Sequence, residues 1–166
     1  MSQEECNQYG ATRDGIDRYA RAFNESEVLG MFGIEIQFPD LETVEAVIDE
    51  ARPGHMGGLG DHQAINGGVL AALYDLVLGC SAALVDPRRR SATVQLSMNF
   101  ERPVLGSEVR ARAKVDRAGR TLVFSSAEIL DGRGEVCSRA TGVVRISQKL
   151  WVGDGPADHP SQKDQV

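Results

Sequence analysis

The chain has 166 residues, of which 42% are hydrophobic and 25% charged, and its formal net charge at pH 7 is -6. This length and composition predict one main globular domain with a substantial core, and the acidic balance argues against a general nucleic-acid-binding surface. The three cysteines, Cys6, Cys80 and Cys137, have no short metal-ligand spacing between them. We therefore expect no metal site and a reduced, cytoplasmic compartment.

Residues 1–27 are predicted to form an N-terminal helical extension. The first 11 residues are polar and acidic, which excludes a signal peptide and favours disorder. From Arg13 to Glu25, apolar residues recur at helical spacing, so we predict an amphipathic helix that covers an edge of the main body. A second helical turn is predicted between Val28 and Met31.

Residues 28–147 are predicted to form the main domain. Alternating apolar residues predict a hairpin of two strands, Phe32 to Phe38 and Thr43 to Asp49. A glycine-rich loop and a long apolar helix, Asn66 to Val85, follow. Further alternation and turn signals then predict a meander of four strands: 93–100, 109–115, 121–130 and 136–146. Residues 148–166 are polar, with glycines and prolines, and are predicted to be a flexible tail.

One long helix and about six antiparallel strands indicate an α+β fold in which the sheet largely wraps around the helix. Such wrapping would explain why the helix is apolar nearly all round. The helix is also the only candidate membrane span, but it is short and contains Asp75. We expect no association with a membrane.

Asp75 is the one ionisable residue inside this helix, where burial would be costly unless the carboxylate were paired or neutralised. On a helical wheel, the bulky residues form one stripe, and Asp75 shares the opposite side with small residues: Gly68, Ala71, Ala72, Gly79 and Ala82. A small-residue face allows close approach by another backbone or a ligand. The alternative is a structural role, with Asp75 held by a backbone or hydroxyl partner.

The sequence Asn66-Gly67-Gly68 begins the helix. Asparagine caps helices well, and glycine tolerates a tight entry, so capping alone is one interpretation. The first N–H groups of a helix also lack internal partners and lie at the positive end of its dipole. They can polarise a carbonyl and hold an oxyanion, and glycine lets a ligand reach them.

Gly67 and Asp75 are eight residues apart, so they stand about 12 Å apart along one helix. They cannot both act on one acyl group within the same chain. Either only one of them is catalytic, or the site combines two chains. A twofold dimer with neighbouring antiparallel helices would bring the start of one helix near the middle of the other.

In this order and spacing, the elements resemble the hotdog-fold acyl-CoA thioesterases of the phenylacetate-degradation type. The resemblance spans about residues 28–147 and depends on four stretches: INGGVLAALYD, SATVQLSMNFERP, RAGRT and GEVCSRATGVVRI. It implies a hotdog homodimer, often paired again into a tetramer. It also implies hydrolysis of an acyl-CoA substrate to free acid and CoA, without a metal or cofactor.

The resemblance also implies roles for single residues. Asp75 matches the family's nucleophile or general base, the Gly67 amide polarises the thioester carbonyl, and Thr93 orients the water. Many members have His where this chain has Asn66, and some have Asn where it has Gly60. Asn66 can hydrogen-bond near the thioester but cannot be a general acid or base.

The CoA phosphates need cationic partners, and guanidinium groups suit them. Arg117 and Arg120 flank a tight turn, and Arg90 belongs to the densest basic run. We predict that these three arginines bind CoA together with Gly68 at the helix start. A solvated basic surface is the alternative interpretation.

Two histidines of the glycine-rich loop, His55 and His62, are further candidates for an imidazole near the thioester. Two other functions compete with hydrolysis. A non-catalytic acyl-CoA-binding hotdog protein is motivated by Asn66 and Gly60. A hotdog hydratase ranks last, because the chain has no Asp/His dyad at suitable spacing.

Overall fold

In the computed structural model, which describes residues 5–57 and 64–151, a curled antiparallel sheet wraps around one long helix. The helices are α1 Arg13–Asn24, α2 Glu27–Phe32 and α3 Gly67–Ser81. The strands are β1 Glu35–Gln37, β2 Thr43–Ile48, β3 Met56–Gly57, β4 Ala64–Ile65, β5 Arg89–Phe100, β6 Val109–Ala118, β7 Leu122–Asp131 and β8 Val136–Leu150.

Six strands form the main sheet in the order β1-β2-β6-β7-β8-β5, and the short strands β3 and β4 pair separately. All pairs are antiparallel. The helix α3 packs on one face of the sheet and contacts β2, β5, β6, β7 and β8. This confirms the predicted α+β hotdog architecture. The strand order places β5, the strand that follows the helix, at one edge of the sheet.

The central helix is buried on one side only. Its large apolar residues pack against the sheet: Val69, Leu70, Leu73, Tyr74, Val77 and Leu78. Asp75 on the opposite side is exposed, and Leu76 and Gly79 are half-buried. The sheet thus wraps around the helix as predicted but leaves the side that bears Asp75 open in a single chain.

The segment Gly67–Leu84 is long and apolar enough, by length and composition, to cross a membrane, with a mean hydropathy of 1.7. In this fold 61% of it is buried within the protein, as in a core helix. Such a helix is only weak evidence for a membrane span.

The N-terminal part differs from its prediction in two places. Residues 5–11 are held to the body rather than frayed, because Asn7 Nδ2 donates to the carbonyls of Leu41 at 2.8 Å and Leu84 at 2.7 Å. The predicted strand from Phe32 starts later. Phe32 ends α2, and Gly33 follows in the left-handed conformation with φ 61°, a helix stop that glycine adopts readily.

Strand β5 contains a bulge that the sequence pattern does not predict. Thr93 pairs with Val144 and Gln95 with Val143, so Val94 is the extra residue. Val94, expected on the same face as Leu96 and Met98, is 56% exposed instead. Because the bulge reverses the alternation, Thr93 lies on the helix side of the sheet, opposite to its predicted face.

The last strand is longer than predicted. β8 continues from Ile146 to Leu150, past the expected domain boundary at 147. Trp151 follows, and its indole Nε1 donates to the Pro87 carbonyl at 2.6 Å. The rest of the predicted tail, residues 152–166 with His159, lies outside the described residues, as do Gly60 and His62.

Candidate active site

A groove of about 330 Å³ lies on the side of α3 that the sheet leaves open. It is bounded by the middle of α3, the first half of β5 and the inner side of α1. The lining residues are Tyr19, Phe23, Asp75, Leu76, Gly79, Ser91, Ala92 and Thr93. The structure thus brings together Asp75 and Thr93, two residues that the sequence resemblance assigns to one reaction.

Two hydroxyl groups of β5 are fixed to α3. Thr93 Oγ1 donates to the Asp75 carbonyl at 3.4 Å, and Ser91 Oγ donates to the Gly79 carbonyl at 3.0 Å. A Cβ on Gly79 would meet Thr93 Oγ1 at 3.4 Å, so glycine lets the strand approach the helix closely. Both hydroxyls therefore lie at the groove beside the turn that bears Asp75.

The Asp75 carboxylate faces this groove with no salt bridge or hydrogen bond to any of the described residues. The sequence predicts a buried acid in need of a partner. In the single chain it is exposed, so no burial penalty arises. A carboxylate with unused lone pairs beside an ordered hydroxyl can accept a proton from water or attack an electrophile.

The helix start is capped by its own asparagine. Asn66 Oδ1 accepts a hydrogen bond from the Gly68 amide at 2.8 Å, which occupies the amide predicted to contact CoA. The Gly67 amide has no acceptor among the residues described for this chain. Both glycines are exposed. Gly67 is thus the available donor at the positive end of the α3 dipole.

A small cluster behind Asn66 fixes that cap. The Asn66 N–H donates to the His55 carbonyl at 2.8 Å, and His55 Nδ1 accepts from the Arg52 N–H at 3.0 Å. A Cβ on Gly57 would lie 2.9 Å from Asn66 Nδ2, closer than side chains normally approach. His55 is buried, so its imidazole supports the backbone and does not face the groove.

The predicted arginines lie at one end of the sheet. Arg117 stacks on the Phe124 ring, with 4.8 Å from its guanidinium carbon to the ring centroid, and Arg120 is in the turn between β6 and β7. Arg90 stands at the start of β5. Sequence reasoning missed Arg145, which pairs in register with Leu122 of β7 and Ala92 of β5 and therefore lies between them.

These arginines are exposed, and none forms a salt bridge with another residue in the described part of the chain. The neighbouring Arg88 and Arg89 are instead paired with Asp86. This end of the sheet is therefore locally basic in a protein with a net charge of -6. Such a patch attracts anions.

Tyr19, which lines the groove, and Cys80, which it contacts, are both uncharged at neutral pH. Burial raises the pKa of the Cys80 thiol to about 12, helped by the Asp75 charge and opposed by the hydrogen bond from Tyr19. Burial likewise raises the pKa of the Tyr19 phenol well above its usual value. Among residues 5–57 and 64–151, no cluster of His, Cys, Asp and Glu has the composition of a metal site.

The sequence model of the thioesterase superfamily matches residues 62–138, which include α3, β5, β6 and β7. The candidate esterase TV1331 of Thermoplasma volcanium is 28% identical over 126 residues, covering 73% of this chain and 95% of that protein. The predicted resemblance to hotdog-fold thioesterases is thus confirmed at the level of the superfamily.

Solved structures confirm the fold. A thioesterase-superfamily-related protein of Shewanella oneidensis superposes with a TM-score of 0.72 at 22% identity, over 81% of this chain and 96% of that one. The PaaI protein of the Escherichia coli phenylacetic acid degradation operon gives 0.71 at 18% identity, over 82% and 96%. At these identities the likeness concerns the fold.

Proposed function

We propose that this chain, whose residues 62–138 match the thioesterase superfamily, hydrolyses acyl-CoA thioesters to free acid and CoA. The observation that carries the proposal is the groove that joins the Thr93 hydroxyl to the Asp75 carboxylate, which has no ion-pair partner among the described residues. The superfamily match and the relative from Thermoplasma volcanium support ester or thioester hydrolysis as the general reaction class.

In the proposed reaction, the Gly67 N–H polarises the thioester carbonyl and stabilises the oxyanion that develops on it. Asp75 takes a proton from a water held by Thr93, and the water oxygen attacks the carbonyl carbon. Alternatively, the carboxylate attacks directly, and water then hydrolyses the anhydride. In both routes the carbon–sulfur bond breaks, and CoA leaves as a thiolate that takes up the released proton. This chemistry calls for no metal or cofactor.

The proposed site lies between two chains. Gly67 and Asp75 are separated by about 12 Å along α3, too far to act on one carbonyl within a chain. The edge strand β5 exposes apolar side chains, with Val94 at 56% and Phe100 at 53%, and a second copy would cover them. In a twofold dimer, Gly67 of one α3 would face Asp75 of the other. A further pairing into a tetramer follows only from the resemblance.

For the CoA moiety, we propose the basic end of the sheet, with Arg90, Arg117, Arg120 and Arg145. Their guanidinium groups are free of salt bridges within the described residues and suit the phosphates. Gly68 is a weaker candidate than these arginines, because Asn66 already occupies its amide. We place the reaction in the cytoplasm, consistent with three free, widely spaced cysteines.

Thiol release from a panel of short, medium, long and aryl acyl-CoAs tests the proposal. Wild-type protein should hydrolyse at least one member, and Asp75→Asn should lose at least about a hundredfold in kcat. Asp49→Asn is the matched control, since Asp49 is equally an exposed aspartate but lies outside the groove. Equal loss in both variants, or unchanged turnover in Asp75→Asn, would contradict the role of Asp75.

One observation favours a second function, acyl-CoA binding without hydrolysis. Many related thioesterases have His where this chain has Asn66, and here the Asn66 amide oxygen is engaged as a helix cap. No imidazole of the described residues faces the groove, because His55 is buried. Tight binding of acyl-CoA by calorimetry, with no thiol release for any acyl group, would establish this alternative.

A further inference from the structure

A second groove, of about 290 Å³, continues the first one away from Asp75. Its lining comes from α1, the start of β5 and the residue after β8: Tyr19, Ala22, Phe23, Arg90, Ser91 and Trp151. Tyr19, Phe23 and Ser91 border both grooves, so the two form one trough. The trough runs from the Asp75 carboxylate to the Trp151 indole.

In the half of the trough that lies farther from Asp75, the walls are aromatic rings held in place by their neighbours. Tyr19 stacks on Phe23 with ring centroids 5.6 Å apart and meets Trp151 edge-on at 6.1 Å. The Tyr19 hydroxyl bonds to Cys80 Sγ, and the Trp151 indole and backbone N–H bond to the carbonyls of Pro87 and Arg88. Because these rings are already positioned, an apolar ligand would meet a preformed surface.

We infer that this trough binds the acyl group of the substrate, so that α1 and Trp151 determine which acyl-CoA is used. The inference rests on the proposed thioester hydrolysis, which places the reacting carbonyl near Asp75. An acyl group attached to that carbonyl can extend along Leu76 and Phe23 towards Trp151. The matching chemistry is an apolar acyl body, alkyl or aryl, of moderate size, because each half has the volume of a small ligand site.

Helix α1 and Trp151, which we infer to select the acyl group, lie outside the region that matches the superfamily. That region covers residues 62–138, whereas α1 ends at Asn24 and Trp151 follows β8. The helix α3 and strand β5 supply Asp75 and Thr93, while α1 and Trp151 supply the aromatic wall farther from Asp75. Acyl selectivity can therefore change in this protein without any change in the reacting groups.

The first experiment compares thiol release from acetyl-, hexanoyl-, decanoyl- and phenylacetyl-CoA in Ala22→Phe and wild-type protein. Ala22 is exposed and lines only the far half, so phenylalanine fills the trough without entering the core. For each protein, kcat/KM for hexanoyl- or phenylacetyl-CoA is divided by kcat/KM for acetyl-CoA. We expect this ratio to be at least about tenfold lower in Ala22→Phe than in wild type. Met31→Phe adds similar bulk at a residue that is 70% exposed and outside the trough, and should keep the ratio.

The second experiment reports binding without turnover. Trp151 is the only tryptophan of the chain, so its fluorescence reports on the far end of the trough. In Asp75→Asn protein, hexanoyl- or phenylacetyl-CoA should shift or quench this emission beyond any change that CoA alone produces through Arg90, which lines the same groove. This measurement does not depend on whether the Ala22 variant folds.

The two proposals fail in different ways. Suppose that the protein hydrolyses acyl-CoA, but Ala22→Phe leaves the kcat/KM ratio unchanged and the Trp151 emission does not respond to the acyl group. The acyl group then does not bind in the trough, although the protein is still a thioesterase. If no acyl-CoA releases thiol but hexanoyl- or phenylacetyl-CoA changes the Trp151 emission, hydrolysis fails and the acyl-binding trough stands.

Discussion

The Thr93 hydroxyl reaches across from the edge strand and donates to the backbone carbonyl of Asp75, with 3.4 Å between oxygens. This contact joins an edge strand of the sheet to the turn of α3 that bears the exposed Asp75. It exists because the bulge at Val94 turns Thr93 to the helix side of the sheet. A long hydrogen bond of this kind can be exchanged for one to water without a large loss.

The Thr93 side chain should matter through its hydroxyl. Thr93→Ala removes the group proposed to hold the water, so we expect kcat for the best acyl-CoA to fall about tenfold or more, which corresponds to about 1.4 kcal/mol. Thr93→Ser keeps the hydroxyl and should recover most of that loss. Steady-state kinetics of both variants, with thermal melting to confirm folding, would measure this. Equal kinetics for alanine and serine would contradict the role of the hydroxyl.

Asn66 variants can separate capping from catalysis. Asn66→Ala removes the acceptor for the Gly68 N–H, and the free energy of unfolding should fall by about 1 kcal/mol. Asn66→Asp keeps an equivalent cap, so stability should be retained, but its negative charge beside the Gly67 amide opposes an oxyanion. We expect Asn66→Asp to lower kcat without lowering the melting temperature. A melting temperature that falls as far in Asn66→Asp as in Asn66→Ala would show that the aspartate does not cap the helix.

Much of this architecture follows from hydrophobic patterning, since alternation and helical periodicity were sufficient to predict six strands around one helix. The side of the helix that bears Asp75 was also predictable from its small neighbours. Its exposure was not, because periodicity cannot tell how far a sheet curls around a helix. The face of Thr93 was wrong for a related reason: a one-residue bulge reverses the alternation and leaves no mark in the pattern.

The far wall of the trough was missed because its parts are distant in sequence. Tyr19 and Trp151 belong to segments that were predicted as an extension and a flexible tail, yet their rings meet at 6.1 Å. The one hint in the sequence of these two segments was that each contains an aromatic residue among mostly polar ones. Composition alone does not show that two such residues pack together.

The three cysteines should differ in reactivity. Cys6 is exposed, whereas Cys80 and Cys137 are buried, and burial raises the pKa of both buried thiols, that of Cys80 to about 12. A pKa above the ambient value leaves the unreactive thiol form, so at about pH 8 native protein should release about one equivalent of chromophore rapidly with Ellman's reagent. Denatured protein should release three equivalents, matching its three cysteines. Rapid reaction of a second thiol in the native state would contradict the buried packing of Cys80 and Cys137.

The Gly67 amide can be removed with little change to the helix. Gly67 is the first residue of α3, a position where proline is well tolerated, and Asn66 before it has φ -62° and ψ 136°, which suits a residue preceding proline. Gly67→Pro therefore deletes the N–H but keeps the helix start. We expect kcat to fall about a hundredfold to a thousandfold with little change in melting temperature.

Gly67→Ala is the matched control for that variant. It retains the N–H, and the added Cβ would make ordinary contact with the Phe100 ring at 3.8 Å. Its kcat should stay within about threefold of wild type, an energy difference of about 0.6 kcal/mol. If proline and alanine have the same effect, the amide is not the group that acts on the carbonyl.

A mixed dimer tests whether one site uses two chains. Asp75→Asn and Gly67→Pro homodimers should each be nearly inactive. Co-expressed with two different tags and purified through both, they form dimers in which one site has both lesions and the other has neither. If Gly67 and Asp75 of different chains share a site, such dimers should recover about half of the wild-type activity, since one site in two is intact. If both residues act within one chain, every site carries one lesion, and the mixed dimers should be as inactive as their parents.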